Sequence, residues 1–206
     1  DERPFNPKQN IPVPVVRNDN PRLLMAKAAA KFWPHQPSLI AAVTGTNGKT
    51  STIDFMRQLW ARVSWSSISI GTIGMRGNNM NKTYTPMADV AQLTTPDSLN
   101  LHASIAAVAK QGVTHLALEA SSHGLQQHRL DGLNIHVTGF TNLSQDHLDH
   151  HQNMDDYYAA KLRLFEDLLP EGGGAVINID DAYGKKIVER MKGRATVVKT
   201  YGTSKA

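Results

Sequence analysis

The chain has 206 residues, 40% of them hydrophobic, which is enough for one sizeable hydrophobic core. It contains no cysteine, and this excludes disulfides and thiolate metal sites. The formal net charge is +4, but the basic residues are scattered and only 6% of residues are aromatic, so a nucleic-acid groove is not expected.

The predicted elements begin after an N-terminal segment without periodicity. Residues 1–20 are rich in Pro, Asn and Arg, which is typical of a tail or linker. A short helical pattern follows at 21–33, and Pro34 ends it. Apolar runs then predict six strands, at 39–44, 67–71, 113–119, 135–140, 175–179 and 195–200.

Amphipathic segments lie between these strands. They predict helices at about 49–63, from Asp97 or Ser98 to Gly112, at 154–169 and at about 181–191. On the first of them the predicted core-facing stripe consists of Phe55, Met56, Leu59, Trp60 and Val63. Residues 72–95 fit no element well, and 76–79 is typical of a turn between two short strands. The alternation indicates an α/β fold, a mostly parallel sheet flanked by helices.

No segment has the hydropathy of a membrane span. The apolar runs are shorter than the roughly 18 residues that cross a bilayer. Residues 1–4 are polar and lack the apolar core of a signal peptide. We therefore expect a cytoplasmic protein with no membrane span and no nucleic-acid partner.

The strongest local signal is the sequence VTGTNGKTS at 43–51. It follows an apolar strand and opens an amphipathic helix, which is the context of a P-loop, a phosphate-binding loop. Its glycines allow a tight turn, and the backbone N–H groups and the helix N-terminus attract phosphate oxygens. Lys49 is expected to reach the β- and γ-phosphates, and the Thr50 hydroxyl to bind Mg²⁺. The predicted phosphate-binding residues are Gly45, Thr46, Asn47, Gly48, Lys49, Thr50 and Ser51.

The loop departs from the general pattern G-x-x-x-x-G-K-[ST], because Val43 stands where the first glycine belongs. The alternative is an ordinary glycine-containing turn between a strand and a helix. The context favours ATP or GTP binding.

Two further polar segments follow predicted strands, at the edge where open α/β sheets bind ligands. Glu119 ends an apolar strand, and a buried carboxylate needs a cation or a donor. A Mg²⁺ ion shared with Thr50 would supply one, whereas a Glu that caps a turn is the alternative. The segment 141–151 carries three histidines and two aspartates. It fits either a transition-metal site or a polar loop in which one histidine is a ligand.

Lys161 lies on one predicted helix face with Tyr157 and Phe165, a face that should point inward. Burial lowers the pKa of a lysine. A neutral amine can react with CO₂ to give a carbamate, which is an anionic oxygen ligand for Mg²⁺. The alternative is a lysine whose stem lies along the core while its head reaches water. The residues alone leave both open.

These segments together resemble the Mur ligase family of ATP-dependent amide-forming enzymes. The matching motifs are GTNGKT at 45–50, E-x-SSHGL at 119–125, TNL-x-x-DHLD-x-H at 141–151 and Y-x-x-AK-x-x-LF at 157–165. Their order and spacing are most similar to the members that extend UDP-N-acetylmuramoyl-L-alanyl-D-glutamate by a third amino acid in peptidoglycan synthesis. Folylpolyglutamate synthetases are relatives and form the alternative.

The resemblance implies ATP and Mg²⁺ as cofactors, and Lys49, Glu119, His147 and Lys161 as catalytic residues. Residues matching Thr50 and Glu119 hold one metal ion in the family. Residues matching His147 and Lys161, the latter as a carbamate, serve the second. Both ions would bridge the γ-phosphate and the substrate carboxylate and neutralise charge during an in-line transfer.

The sequence TTPD at 94–97 precedes the second long helix. Taken alone, it fits a helix cap with an early proline. The resemblance implies contacts to the UDP-sugar peptide from Thr94, Thr95, Ser121, Gln127 and Arg129. A guanidinium suits this role because it can grip a carboxylate or phosphate with two hydrogen bonds. Leu93 stands where the family often has a polar residue, so one contact departs from the pattern.

The resemblance extends from about residue 22 to residue 202. It implies that 1–38 are a linker and the end of an N-terminal UDP-binding domain, and that 39–206 are a partial central ATP-binding domain. The C-terminal ligase domain is expected to lie outside this sequence. The implied partners are the UDP-N-acetylmuramoyl dipeptide and an amino acid, diaminopimelate or lysine. A further alternative is a nucleotide-binding fragment without activity on its own.

Overall fold

The computed structural model describes residues 15–77, 93–145 and 151–203. Its strands are β1 (Leu39–Thr44), β2 (Ser67–Gly71), β3 (Gly74–Gly77), β4 (His115–Glu119), β5 (Val137–Phe140), β6 (Gly174–Asn178) and β7 (Val197–Tyr201). Its helices are α1 (Pro21–Phe32), α2 (Lys49–Arg62), α3 (Ser98–Lys110), α4 (Ser122–Gln126), α5 (Met154–Arg163) and α6 (Ala182–Met191). A π-helical turn, Leu164–Leu168, continues α5.

The strands form one sheet in the order β3-β2-β4-β1-β5-β6-β7. All neighbouring pairs are parallel except β2 and β3, which are antiparallel. The predicted α/β class, a mostly parallel sheet flanked by helices, is therefore confirmed. Because β1 lies between β4 and β5, the segments that follow these three strands meet at one edge of the sheet.

Side-chain caps begin most of the helices. Asn20, Asp97, Asn153 and Asp181 each accept a hydrogen bond from a backbone N–H in the first turn of the helix that follows. These caps satisfy donors that a helix start leaves open. At α2 the N-cap is Gly48, with φ of 85° and no capping side chain. The first turn of α2 therefore keeps its N–H groups for a ligand.

The core lies mainly on one face of the sheet. Ile40, Ile68, Leu116 and Leu118 contribute the strand side, and helices α3, α5 and α6 cover it. On the opposite face, Ile53 of α2 packs on Val43 and Ala117, with Met56 and Trp60 beside them. The sheet is thus enclosed from both sides at β1 and β4, which is why those strands are nearly continuous apolar runs.

The predicted inward stripe of α2 is half wrong. Met56 and Trp60 do face the sheet, but Phe55, Leu59 and Val63 are 62%, 65% and 57% exposed. Apolar residues cover a wide arc of this helix, and the sheet contacts only one narrow stripe of it. Periodicity alone could not tell which half of the arc is buried.

Several boundaries differ from the sequence prediction. β4 and β5 each begin two residues later than predicted, and Arg76 and Gly77 belong to strand β3 instead of a turn. The other predicted turn residues, 78–79, lie outside the described residues. The short helix α4 was not predicted. Among the described residues, no helix combines the length and apolar character of a membrane span.

His102 of α3 gives the fold a predicted pH dependence. Burial lowers the pKa of His102 below its ordinary value of 6.5, while the nearby Asp131 opposes this shift. Below that value the unfolded chain binds a proton that the folded chain does not, so the free energy of unfolding falls as the pH drops. We expect urea denaturation from about pH 7.5 to about pH 5.5 to show an acid loss of up to about 1.4 kcal/mol per pH unit from this residue. His102→Gln should flatten the pH slope, and equal slopes for the two proteins would contradict the assignment.

Candidate active site

The loop between β1 and α2 is held in place by the segment that follows β5. Thr46 N donates to Asn142 O at 2.8 Å, and Thr141 Oγ1 donates to Asn47 O at 2.6 Å. Gly45 has a φ of 148°, and a Cβ at this position would overlap with Thr141 Oγ1. The predicted glycine requirement therefore has a second cause, the close approach of a neighbouring segment.

Lys49 turns back onto the loop. Its Nζ donates to the carbonyl oxygens of Gly45 at 2.9 Å and Thr46 at 2.8 Å. Thr50 is half-buried in the first turn of α2, and Asn47 and Ser51 are exposed. Lys49 is therefore held against the loop that carries the other predicted phosphate-binding residues.

Glu119 is fully buried at the end of β4. Its Oε1 accepts from Thr72 N at 2.9 Å, and its Oε2 accepts from Thr72 Oγ1 at 3.2 Å. Gly71 makes room for this carboxylate, since a Cβ there would lie 2.6 Å from the Glu119 carboxyl carbon. The predicted need for a donor is thus met by Thr72, which sequence reasoning missed because it lies 47 positions away.

Lys161 is 1% exposed, so the alternative of a head that reaches water is wrong. Its Nζ donates to Gly45 O at 3.0 Å and lies 4.3 Å from the centre of the Tyr157 ring. The Tyr157 hydroxyl is 3.2 Å from Thr46 Oγ1. Helix α5 is therefore fastened to the phosphate loop by two of its side chains.

The residues predicted to bind the acceptor form a second group. Thr95 Oγ1 donates to Glu119 O at 2.8 Å and lies 2.9 Å from Ser121 Oγ. Thr72 Oγ1 also lies 3.2 Å from Thr94 Oγ1, and this contact links the group to the Glu119 carboxylate. The residues predicted to bind the acceptor are thus connected by hydrogen bonds to Glu119, one of the predicted catalytic residues.

Arg129 stands at the far end of this group. Its guanidinium donates to Thr95 O at 2.6 Å and to Gln127 Oε1 at 2.7 and 3.2 Å. Burial lowers the pKa of Arg129, Asp97 opposes the shift and Arg22 adds to it. An anion bound here would offset the cost of burying this cation.

One cavity of about 290 Å³ lies between the two lysines, Lys49 and Lys161, and the residues predicted to bind the acceptor. Its walls are Lys49, Leu93, Thr94, Thr95, Ser121, Ser122, His123, Arg129, Tyr157 and Lys161. Of the described residues that were predicted to belong to the site, eight lie outside this lining: Gly45, Thr46, Asn47, Gly48, Thr50, Ser51, Glu119 and Gln127. Ser122, His123 and Tyr157 are wall residues to which the sequence analysis assigned no function. Because the basic side chains of Lys49 and Arg129 face the cavity, we expect an anionic occupant.

His147 lies outside the described residues, so its predicted metal role stays a prediction. Within residues 15–77, 93–145 and 151–203 there is no cluster of three or more histidine or acidic side chains that could hold a metal ion. The dense histidine segment is only partly described, and the choice between its two interpretations stays open.

Comparison with known proteins identifies the family. Residues 43–206 match the Mur ligase middle domain. The chain belongs to the Mur ligase family. It is 49% identical, over 92% of its length, to the UDP-N-acetylmuramoyl-L-alanyl-D-glutamate--2,6-diaminopimelate ligase of Bradyrhizobium diazoefficiens. The matched region is 38% of that relative, so the chain spans well under half of it.

Solved structures agree with this Mur ligase assignment. One, described as a UDP-N-acetylmuramoyl-L-alanyl-D-glutamate--2,6-diaminopimelate ligase, has a TM-score of 0.75 and 33% identity over 90% of this chain and 37% of its own. A Mycobacterium tuberculosis folylpolyglutamate synthase complexed with ADP has a TM-score of 0.65 and 17% identity over 89% of this chain and 47% of its own. At that identity the second likeness shows a shared fold only.

The contact between Gly71 and Glu119 yields a testable prediction. In Gly71→Ala the new methyl group overlaps with the carboxylate, and we expect a loss of about 1–3 kcal/mol in the free energy of unfolding, as for other overpacked sites. Gly174→Ala is the matched control, since a Cβ there would lie 3.7 Å from Val137, an ordinary contact. Urea denaturation of both variants is the measurement. Equal stability of the two variants would show that the Glu119 side chain is not held against Gly71.

Proposed function

We propose that this chain supplies the phosphate-binding and acceptor-binding walls of a ligase that extends UDP-N-acetylmuramoyl-L-alanyl-D-glutamate by diaminopimelate. The observation that carries the proposal is the cavity in which Lys49 and Lys161 meet Arg129. It suits a reaction that brings a phosphate at one end to a carboxylate at the other. The relative's name favours diaminopimelate over lysine as the amino acid.

The proposed reaction has two steps. A carboxylate oxygen of the acceptor attacks the γ-phosphorus of ATP, and the bond to the β–γ bridging oxygen breaks to release ADP. The amine then attacks the acyl carbon of the acyl phosphate, loses a proton and expels inorganic phosphate. Because both steps join bound reactants, positioning and charge stabilisation would supply most of the rate.

Each wall has a distinct part in this reaction. The backbone N–H groups of the loop and the start of α2 bind phosphate oxygens, and Lys49 exchanges its carbonyl partners for the β- and γ-phosphates. Arg129, backed by Gln127, binds an anionic group of the acceptor. Thr94, Thr95 and Ser121 supply hydroxyl groups between the two ends.

The donor set at the carboxyl edge of β1 and β4 fits Mg²⁺. Glu119 is a buried carboxylate that, among the residues the structure describes, accepts hydrogen bonds from the neutral Thr72, and Thr50 adds a hydroxyl. Hard oxygen donors of this kind are the ligands that Mg²⁺ prefers. We assign Thr50 and Glu119 to one ion, and His147 with Lys161 as a carbamate to a second. Bound there, the ions would neutralise charge on the transferring phosphoryl group.

The proposal extends to the organisation of the whole ligase. Residues 1–38 are a linker and the end of a UDP-binding domain, and 39–206 are part of the central ATP-binding domain. Since the relatives are more than twice as long as the matched region, the amino acid is delivered by another part of such a ligase. We place the reaction in the cytoplasm, where ATP is available.

ADP release tests the proposal. In a full-length ligase that carries this chain, we expect Mg·ATP turnover to require UDP-N-acetylmuramoyl-L-alanyl-D-glutamate, with a folate unable to replace it.

Lys49→Ala should lower turnover by at least about 100-fold, because a donor to the transition-state phosphates is lost. The exposed Lys110→Ala on α3 is the matched control and should retain activity. Turnover that ignores the dipeptide would overturn the substrate assignment, and retained turnover in Lys49→Ala would overturn the loop assignment.

The carbamate of Lys161 has its own test. Lys161→Ala in the same ligase should be nearly inactive, and a short carboxylic acid should restore part of the activity by placing an oxygen anion in the space left. Lys49→Ala is the control, since no carboxylate can replace its cation. Full activity of Lys161→Ala without added acid would remove the proposed role.

A further inference from the structure

His128 has an unusual backbone conformation at the edge of the proposed acceptor site. Its φ is 57°, in the left-handed region that residues other than glycine seldom occupy, although His is enriched there together with Asn and Asp. It follows α4 and stands between Gln127 and Arg129, whose side chains are hydrogen-bonded to each other. Such a conformation persists only where the surrounding contacts hold it.

Both ring nitrogens of His128 have partners in other parts of the chain. Nε2 lies 2.8 Å from the side-chain nitrogen of Asn20, the N-cap of α1. Nδ1 lies 3.4 Å from Asp131 Oδ1. With this pairing the Asn20 amide donates to Nε2 and the Asp131 carboxylate accepts from Nδ1. The ring is clamped from two sides.

The clamp continues into the helix that carries Lys161. Asp131, which is buried, also accepts from Arg163 Nη2 at 2.6 Å. Arg163 Nη1 donates to Leu125 O in α4 at 2.7 Å. Arg163 is two positions beyond Lys161 on α5, so this arginine ties the turn after α4 to the lysine helix. A paired and hydrogen-bonded charge of this kind gives a defined geometry.

We propose that His128 is a positioning residue for the acceptor. Its clamped imidazole holds the left-handed backbone that aligns Gln127 with Arg129, and Arg163 fixes this turn relative to Lys161. The residue thereby sets where the anionic group of the acceptor lies with respect to the phosphate loop. The inference rests on the proposed function, in which Arg129 binds that group.

Three substitutions separate the backbone from the ring. His128→Asn tolerates the left-handed conformation and keeps an amide donor for Asp131. His128→Gly tolerates the conformation but has no side chain to form the hydrogen bonds. His128→Ala disfavours the conformation and also lacks those hydrogen bonds. In the full-length ligase we expect the KM for the dipeptide to rise about 10-fold in Ala and less in Gly, because small misplacements of a binding group are costly. It should stay within about 2-fold of wild type in Asn, and the KM for ATP should stay within about 2-fold in all three.

A purely structural role would change both KM values and kcat together, in proportion to the loss of stability in urea. An unchanged dipeptide KM in His128→Ala, or an equal rise in the KM for ATP, overturns the positioning role. Asp131→Asn, which removes the charge that faces Arg163, should reproduce the selective rise in the dipeptide KM.

A readout without ligand separates this inference from the proposed function. The Nε–Hε resonance of Arg129 in the 206-residue chain, identified by its loss in Arg129→Lys, reports the hydrogen bond to Gln127. We expect it to move toward the position of a solvated guanidinium in His128→Ala and to stay in place in His128→Asn. If the ligase ignores the dipeptide while the resonance moves as expected, the proposed function fails and the clamp stands. An unmoved resonance in His128→Ala overturns the clamp itself.

Discussion

Two lysine side chains share one backbone oxygen in the candidate site, and the rest of the site is arranged around that contact. Lys49 from α2 and Lys161 from α5 both donate to the carbonyl oxygen of Gly45. Two cations at one partly desolvated point repel each other, and the repulsion is weakly screened there. With both side chains protonated the pair would attract an anion, whereas the carbamate proposed for Lys161 would remove one of the two positive charges. The shared hydrogen bonds also require that the loop after β1, α2 and α5 keep their relative positions. The loop and α2 follow β1 directly, and β1 is the central strand of the sheet.

The parts of the fold that sequence reasoning predicted are those with local causes. β1 and β2 were predicted at their observed bounds, because a run of apolar residues between polar turns specifies a buried strand without any distant partner. The cap of α3 at Asp97 has an equally local signal. The exposed face of α2 and the bounds of β3 were not predicted, since each depends on which distant surface the segment meets.

The candidate site divides in the same way. The loop around Lys49 was recognisable because its glycines, lysine and hydroxyl groups are contiguous. Thr72, which holds the Glu119 carboxylate, and Asp131, which faces both His128 and Arg163, are brought to the site from other elements and carry no motif of their own. For Lys161, the residues left two orientations open, and burial against the loop selects one of them. The metal role of His147 stays a prediction.

The hydrogen bonds from Lys49 to the loop also determine what nucleotide binding would do at this position. The ammonium group already donates to two main-chain carbonyl oxygens, so a phosphate that takes either of those N–H donors displaces a carbonyl as well as water. The heat of binding would then include the difference between the hydrogen bonds lost and those gained at the lysine. A displaced carbonyl must find a new donor, which makes loop relaxation part of the association step. Affinity for the nucleotide would therefore depend on how readily the loop rearranges, as well as on the charge of the cavity.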